Sequence, residues 1–275
     1  MRQAMPGILP YLLCAAGYAS VAALLLRFLS APRGEAVQAP RVLHWITALP
    51  LLLHAWLLDA SVFGQSGIHL GVGSSVSVII WLAALIYWLG GFYYRLEGLQ
   101  VFILGAAAVL VLSPLAFPSV RPLSHTELPA FRAHLAISLM AYSLFTIASL
   151  QALTMAVIER RLRAGTLPAF LQSLPPLLTM EKMLFRIIAA GFVLLTLTLA
   201  SGMIFSEALF GQPLQFTHKV VFGIASWFIF GALLAGRRIY GWRGRMALRW
   251  TLAGFLALVL AYIGSKFVLE VLLGR

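Results

Sequence analysis

The chain has 275 residues, 61% of them hydrophobic and only 10% charged, with a formal net charge of +12 and a mean hydropathy of +0.95. No water-soluble domain of this length hides so much apolar surface, which excludes a soluble globular protein. The basic residues sit at the ends of apolar runs, so their surplus reads as control of membrane topology, and no nucleic-acid partner is expected.

A hydrocarbon layer about 30 Å thick is crossed by a helix of roughly 20 apolar residues. The apolar windows predict eight such helices, near residues 7–27, 42–60, 75–93, 99–116, 132–158, 183–205, 219–237 and 248–272. The fold class is therefore an all-α polytopic bundle embedded in a lipid bilayer, with residues 1–275 forming one integral-membrane domain. The first window holds the single cysteine, Cys14, and no CxxC pair is present for thiol exchange or metal binding. That window lacks a small-residue cleavage site before the next basic loop, so it reads as a retained span. The second window contains LLLHAWLLD with His54, and the third opens on GSSVSVIIWL. Turn formers separate the windows at Ala31-Pro32-Arg33-Gly34, Gly64-Gln65-Ser66-Gly67, Pro118 to Pro122, Pro175-Pro176 and Gly211-Gln212-Pro213.

The fifth window begins AHLAISLMAYSLF, where Ser138 and Tyr142 share a helical face with His134. The seventh begins at FTHKVVFGIASW, with His218 and Lys219 side by side at its start.

Loop charge fixes the expected orientation. Arg27, Arg33, Arg41, Arg95, Arg160, Arg161, Arg163, Lys182, Arg186, Arg237, Arg238, Arg243, Arg245 and Arg249 fall on one side. Only Arg2, Arg121, Arg132, Lys219, Lys266 and Arg275 fall on the other. The positive-inside rule places the first set in the cytoplasm and both termini in the periplasm.

Of the six histidines, His69, His125, His134 and His218 then fall at the outer side, and His54 lies within the second span towards it. Neutral imidazole is a ligand for haem iron. His134 and His218 are the candidate iron ligands, with Lys219 placed to pair with an anionic group such as a propionate. An ionisable residue inside a span is a candidate for function, so His54 is a third candidate; a hydrogen bond to a neighbouring helix is its alternative reading. His69, between glycines, reads as a loop residue, and His44 and His125 as interfacial. Asp59 and Glu207 either orient a histidine or mark span ends. No nucleophile motif, phosphate-cradling glycine loop or spaced carboxylate pair is present, so no catalytic residue is assigned.

The last quarter, HKVVFGIASWFIFGALLAGRRIYGWRGRMALRWTLAGFLALVLAYIGSKFVLE, resembles the cytochrome c assembly family of CcsA/HemX-like membrane proteins, with GWRGR and AYIGSKF as the specific parts. AHLAISLMAYSLFTIASLQALTMAVIERRL resembles the family helix that starts with an outer histidine, and LLLHA and GSSVSVIIWL fit more loosely. The match is best over 132–272 and is closest to the short, eight-span YpjD-type branch. The resemblance implies a bacterial inner-membrane protein that handles haem for cytochrome c maturation. It further implies haem b held by His134 and His218, with His54 matching a family histidine of an early span, and apocytochrome c or other assembly factors as partners. Complete synthetases carry a tryptophan-rich signature where this chain reads GMIFSEALFGQPLQFTHK, so covalent haem ligation is not expected. The alternative is a haem-free accessory or transport-related protein on the same scaffold.

Overall fold

The computed structural model describes residues 7–30, 41–64, 67–94, 96–118, 123, 126–210 and 218–264, with backbone alone at 63, 64, 67, 205–210, 263 and 264. Arg2, Arg33, Arg95, Arg121, His125, Phe216, Lys266 and Arg275 lie outside the described residues, as does the Glu207 side chain.

Helices dominate because a backbone in hydrocarbon must satisfy its own N–H and C=O groups. They are α1 (Ile8–Ser30), α2 (Arg41–Ile46), α3 (Ala48–Val62), α4 (Val72–Gly90), α5 (Glu97–Leu110), α6 (Ser113–Ala116), α7 (Pro129–Arg163), α8 (Ala169–Gln172), α9 (Leu177–Phe210), α10 (His218–Ile239) and α11 (Gly244–Val259). A π-helical turn, Leu260–Gly264, continues α11. Two-residue strands β1 (Phe63–Gly64) and β2 (Gly67–Ile68) pair antiparallel after α3, with Phe63 opposite Ile68. Taking α2 with α3 and α5 with α6, eight helical segments among the described residues are long and apolar enough to cross a membrane. These are the eight windows expected from hydropathy.

Proline explains both interrupted spans. Pro50 has no N–H to donate one turn back, and the helix breaks at Thr47, whose hydroxyl donates to the Leu43 carbonyl at 2.8 Å. Pro114 follows a similar break between α5 and α6. There Ser113 donates to the Gly73 carbonyl at 2.8 Å, and a side chain at Gly73 would strike the Ser113 backbone.

The bundle has two halves. Helices α1, α3, α4 and α5 pack together, as do α7, α9, α10 and α11, and α4 against α7 joins the two sets. The second half centres on Phe145 of α7 stacked on Phe230 of α10, centroids 3.9 Å apart. Glycines make room for that pair, Gly191 of α9 beside Phe145 and Gly254 of α11 beside Phe230.

Polarity is inverted relative to a soluble protein. Leu9, Leu12, Leu13, Val193 and Phe228 are exposed, whereas Ser75, Ser77, Gln100, Gln151, Ser226 and Thr251 are buried. Outward apolar faces suit lipid, and inward hydroxyls bond helix to helix, as Ser226 does to the Gly254 carbonyl at 2.9 Å.

Candidate functional site

One end of the bundle gathers the polar groups that start or finish five helices. His134 stands in the second turn of α7. Its Nδ1 lies 2.8 Å from Ser201 Oγ on α9, so the beginning of α7 meets the later turns of an antiparallel neighbour. The ring is half-buried and rests beside Gly202, where an added Cβ would sit 3.5 Å from Cε1. Small residues at 201 and 202 let the imidazole lie close to the α9 backbone.

Lys219, in the first turn of α10, interacts electrostatically with His134. Its Nζ also lies over the Tyr262 ring, 5.3 Å from the centroid, an arrangement that attracts a cation to the ring face. The π-helical turn presents Tyr262 here, and its hydroxyl is 3.2 Å from Ser75 Oγ in the first turn of α4. Tyr142 packs against Tyr262 with centroids 5.7 Å apart and donates to the Leu258 carbonyl at 3.0 Å. His218, next to Lys219, is exposed at this same end.

The placement of the sequence candidates follows. His134 and Lys219 lie close enough to interact electrostatically, and His218 directly precedes Lys219 in the first turn of α10. Of the stripe expected along α7, Tyr142 points into the bundle, while Ser138 turns back to the Leu135 carbonyl at 2.9 Å. Ser201, Tyr262 and Ser75 were missed as site residues: Tyr262 lies within AYIGSKF and Ser75 within GSSVSVIIWL, but neither stretch marks them as site residues, and Ser201 lies in no motif. Helix parity is the signal that points to Ser201. It is the sole hydroxyl residue between Thr198 and Ser206, at the depth where an antiparallel partner meets the start of α7.

His54 lies deeper and apart. It is fully buried, with Nδ1 3.1 Å from the Tyr18 hydroxyl of α1 and Nε2 2.9 Å from Ser77 Oγ of α4. Both ring nitrogens are thus engaged with protein hydroxyls, which is the interhelical alternative given for this residue. His69 is half-buried after β2, and its amide donates to the Val62 carbonyl at 2.7 Å. Asp59 is exposed near the end of α3.

At the opposite end, His44 stacks on Trp88, centroids 5.5 Å apart, with Phe92 edge-on to it. That end carries most of the described arginines, and the GWRGR loop closes it. Gly241 and Gly244 take positive φ values of 66° and 53°, which explains glycine at both positions. Trp242 lies against Gly236, where any Cβ would collide with the indole.

The His134 end carries two imidazoles, the Lys219 ammonium and the Tyr142 and Tyr262 rings, group types that can hold a haem. Among the described residues, no group of three or more His, Cys, Asp or Glu converges to hold a bare metal ion.

Comparison with known proteins agrees with this architecture. Residues 42–273 match the family described as cytochrome C assembly protein. The chain is 36% identical over 231 residues to the inner membrane protein YpjD of Escherichia coli strain K12, covering 82% of this chain and 85% of that protein. It is 37% identical over 141 residues to an uncharacterized 28.8 kDa protein of Azospirillum brasilense, 51% of this chain and 52% of that one. The cytochrome c biogenesis protein CcsA of Gloeobacter violaceus is 29% identical over 92 residues, 34% of this chain and 27% of its own. Eight apolar helices and this set of relatives make the chain a multi-pass inner-membrane protein that belongs to the cytochrome c assembly family.

Proposed function

We propose that the protein handles haem during cytochrome c maturation, holding haem b at the periplasmic end of the bundle through His134 and His218. The observation that carries this reading is His134, hydrogen-bonded to Ser201 and within electrostatic reach of Lys219, whose sequence neighbour His218 starts α10. The orientation rests on the arginines gathered at the other end, which the positive-inside rule assigns to the cytoplasm.

When bound, haem would supply an iron that binds imidazole nitrogen. His134 and His218 would provide those nitrogens from two helices. Lys219 would pair with a propionate carboxylate. Arg132, which donates to the Thr126 carbonyl at 2.5 Å and faces Glu127 at 3.8 Å, is a second candidate cation for a propionate. Phe222, half-buried on α10, and Tyr262 offer flat apolar surface to the macrocycle. Apocytochrome c, or another membrane assembly factor, would receive or present the haem at this face.

Protein purified from haem-replete membranes is expected to show the Soret band of low-spin, two-imidazole haem. Its absence contradicts the reading. It would favour a haem-free accessory role, to which the tryptophan-free stretch 202–219 points.

A further inference from the structure

We propose that Ser201 is a positioning residue that fixes the tautomer of His134, so that Nδ1 carries the proton and Nε2 presents its lone pair to the ligand. The consequence for ligation rests on the haem reading above; the tautomer itself does not.

The inference comes from counting protons. Ser201 Oγ lies 2.6 Å from the Leu197 carbonyl oxygen and 2.8 Å from His134 Nδ1. The hydroxyl has a single hydrogen and two lone pairs. Two oxygens 2.6 Å apart without a hydrogen between them repel each other, so the hydroxyl hydrogen lies on the Leu197 side. This is the usual back-bond of a helical serine to the carbonyl four residues earlier. Oγ then has only lone pairs to offer His134, and a 2.8 Å contact with Nδ1 needs a hydrogen on that nitrogen. The relay runs from Nδ1–H to Oγ, and from O–H to the Leu197 carbonyl. A neutral imidazole holding its proton on Nδ1 has none on Nε2.

The surroundings fit this assignment. No carboxylate is described against the ring; Glu127 of the same end is turned to Arg132 and exposed. Hydrogen bonds on the far nitrogen of ligating histidines set ring orientation and ligand basicity. Here a neutral hydroxyl, itself anchored to a backbone carbonyl, does this from the neighbouring helix.

The test uses the full chain, labelled with 15N-histidine, purified from haem-depleted cells and placed in lipid nanodiscs. Two-bond proton–nitrogen correlation spectra report which ring nitrogen bears hydrogen, and His134→Gln identifies the signal. The expected result is a protonated Nδ1 and a bare Nε2 at His134. Ser201→Ala should shift the population towards the Nε2–H form, and Ser201→Thr, which keeps the hydroxyl, should restore it. An Nε2–H pattern in the unmutated protein overturns the proposal, as does a pattern that Ser201→Ala leaves unchanged. The unmutated spectrum decides the tautomer even where the alanine variant folds poorly. Haem titration of the same samples separates the two readings. If haem binds, Ser201→Ala should weaken it roughly 10- to 100-fold. An Nδ1–H protein that takes up no haem removes the haem reading and leaves the positioning role standing; haem uptake by an Nε2–H protein does the reverse.

Discussion

Glu181 of α9 and Arg237 of α10 form an ion pair, Oε1 to Nη1 2.8 Å apart, buried beneath the loop that joins α10 to α11. The second carboxylate oxygen accepts the Gly244 amide hydrogen at 3.2 Å, and Arg237 donates to the Trp242 carbonyl at 3.2 Å. The guanidinium also covers the Phe185 ring at 4.7 Å. One carboxylate therefore ties α9, α10 and the start of α11 together, and the GWRGR sequence supplies the loop that fits around it.

Glu181→Gln should lower the melting midpoint in detergent, because it leaves Arg237 without a countercharge. Removing one partner of a buried pair costs about 3–5 kcal/mol. Arg237 keeps a quarter of its side chain exposed, which places the expectation at the low end of that range. A double-mutant cycle with Arg237→Gln should recover part of the loss, and an unchanged midpoint for Glu181→Gln would refute the clamp.

The aromatic stack gives a second expectation. A Cβ at Gly254 would fall 2.8 Å from Phe230 Cζ, so Gly254→Leu must push the ring away from Phe145. Overpacking of this kind costs about 1–3 kcal/mol. Thermal melts should register that loss, whereas Gly105→Ala, where an added Cβ meets nothing within 4 Å, should be close to neutral.

His54 is expected to behave as an interhelical polar knot. Tyr18→Phe and Ser77→Ala each remove one of its hydrogen bonds, and bonds of this kind in membrane proteins average about 0.6 kcal/mol. Both variants should melt slightly earlier and keep the haem content of the unmutated protein. A loss of haem in either would give His54 a direct role in the site.

Bulk at position 202 should discriminate packing from occlusion. Gly202→Ala meets His134 Cε1 only at ordinary contact distance, 3.5 Å, and should bind haem normally. Gly202→Leu should screen the ring edge next to Nε2 and lower haem content while the protein still folds. Equal haem content in the two variants would show that ligands do not approach along this edge.

The eight spans were legible because hydrocarbon demands length and hydropathy, both of which are local properties of sequence. Span parity also brought His134, His218 and Lys219 to one end. Partner identity was not legible. Ser201 stands 67 residues from His134, and Tyr262 reaches Ser75 across 187 residues, through a π-helical turn that no composition signal announces. Glu181 drew no attention as an isolated acid at the start of a span. Its role emerges only when Arg237 and the Gly244 amide converge on it. His54 shows the same limit, since an intramembrane histidine reads alike as ligand or as interhelical bond until Tyr18 and Ser77 are placed around it.

The most direct test is haem content, measured by absorption spectrum and pyridine haemochrome, of protein purified from haem-replete membranes beside the His134→Ala/His218→Ala double variant. The account predicts a low-spin haem b spectrum in the unmutated protein and its loss in the double variant, with His54→Ala retaining haem. Absence of haem from the unmutated protein, or an unaltered spectrum in the double variant, would contradict it.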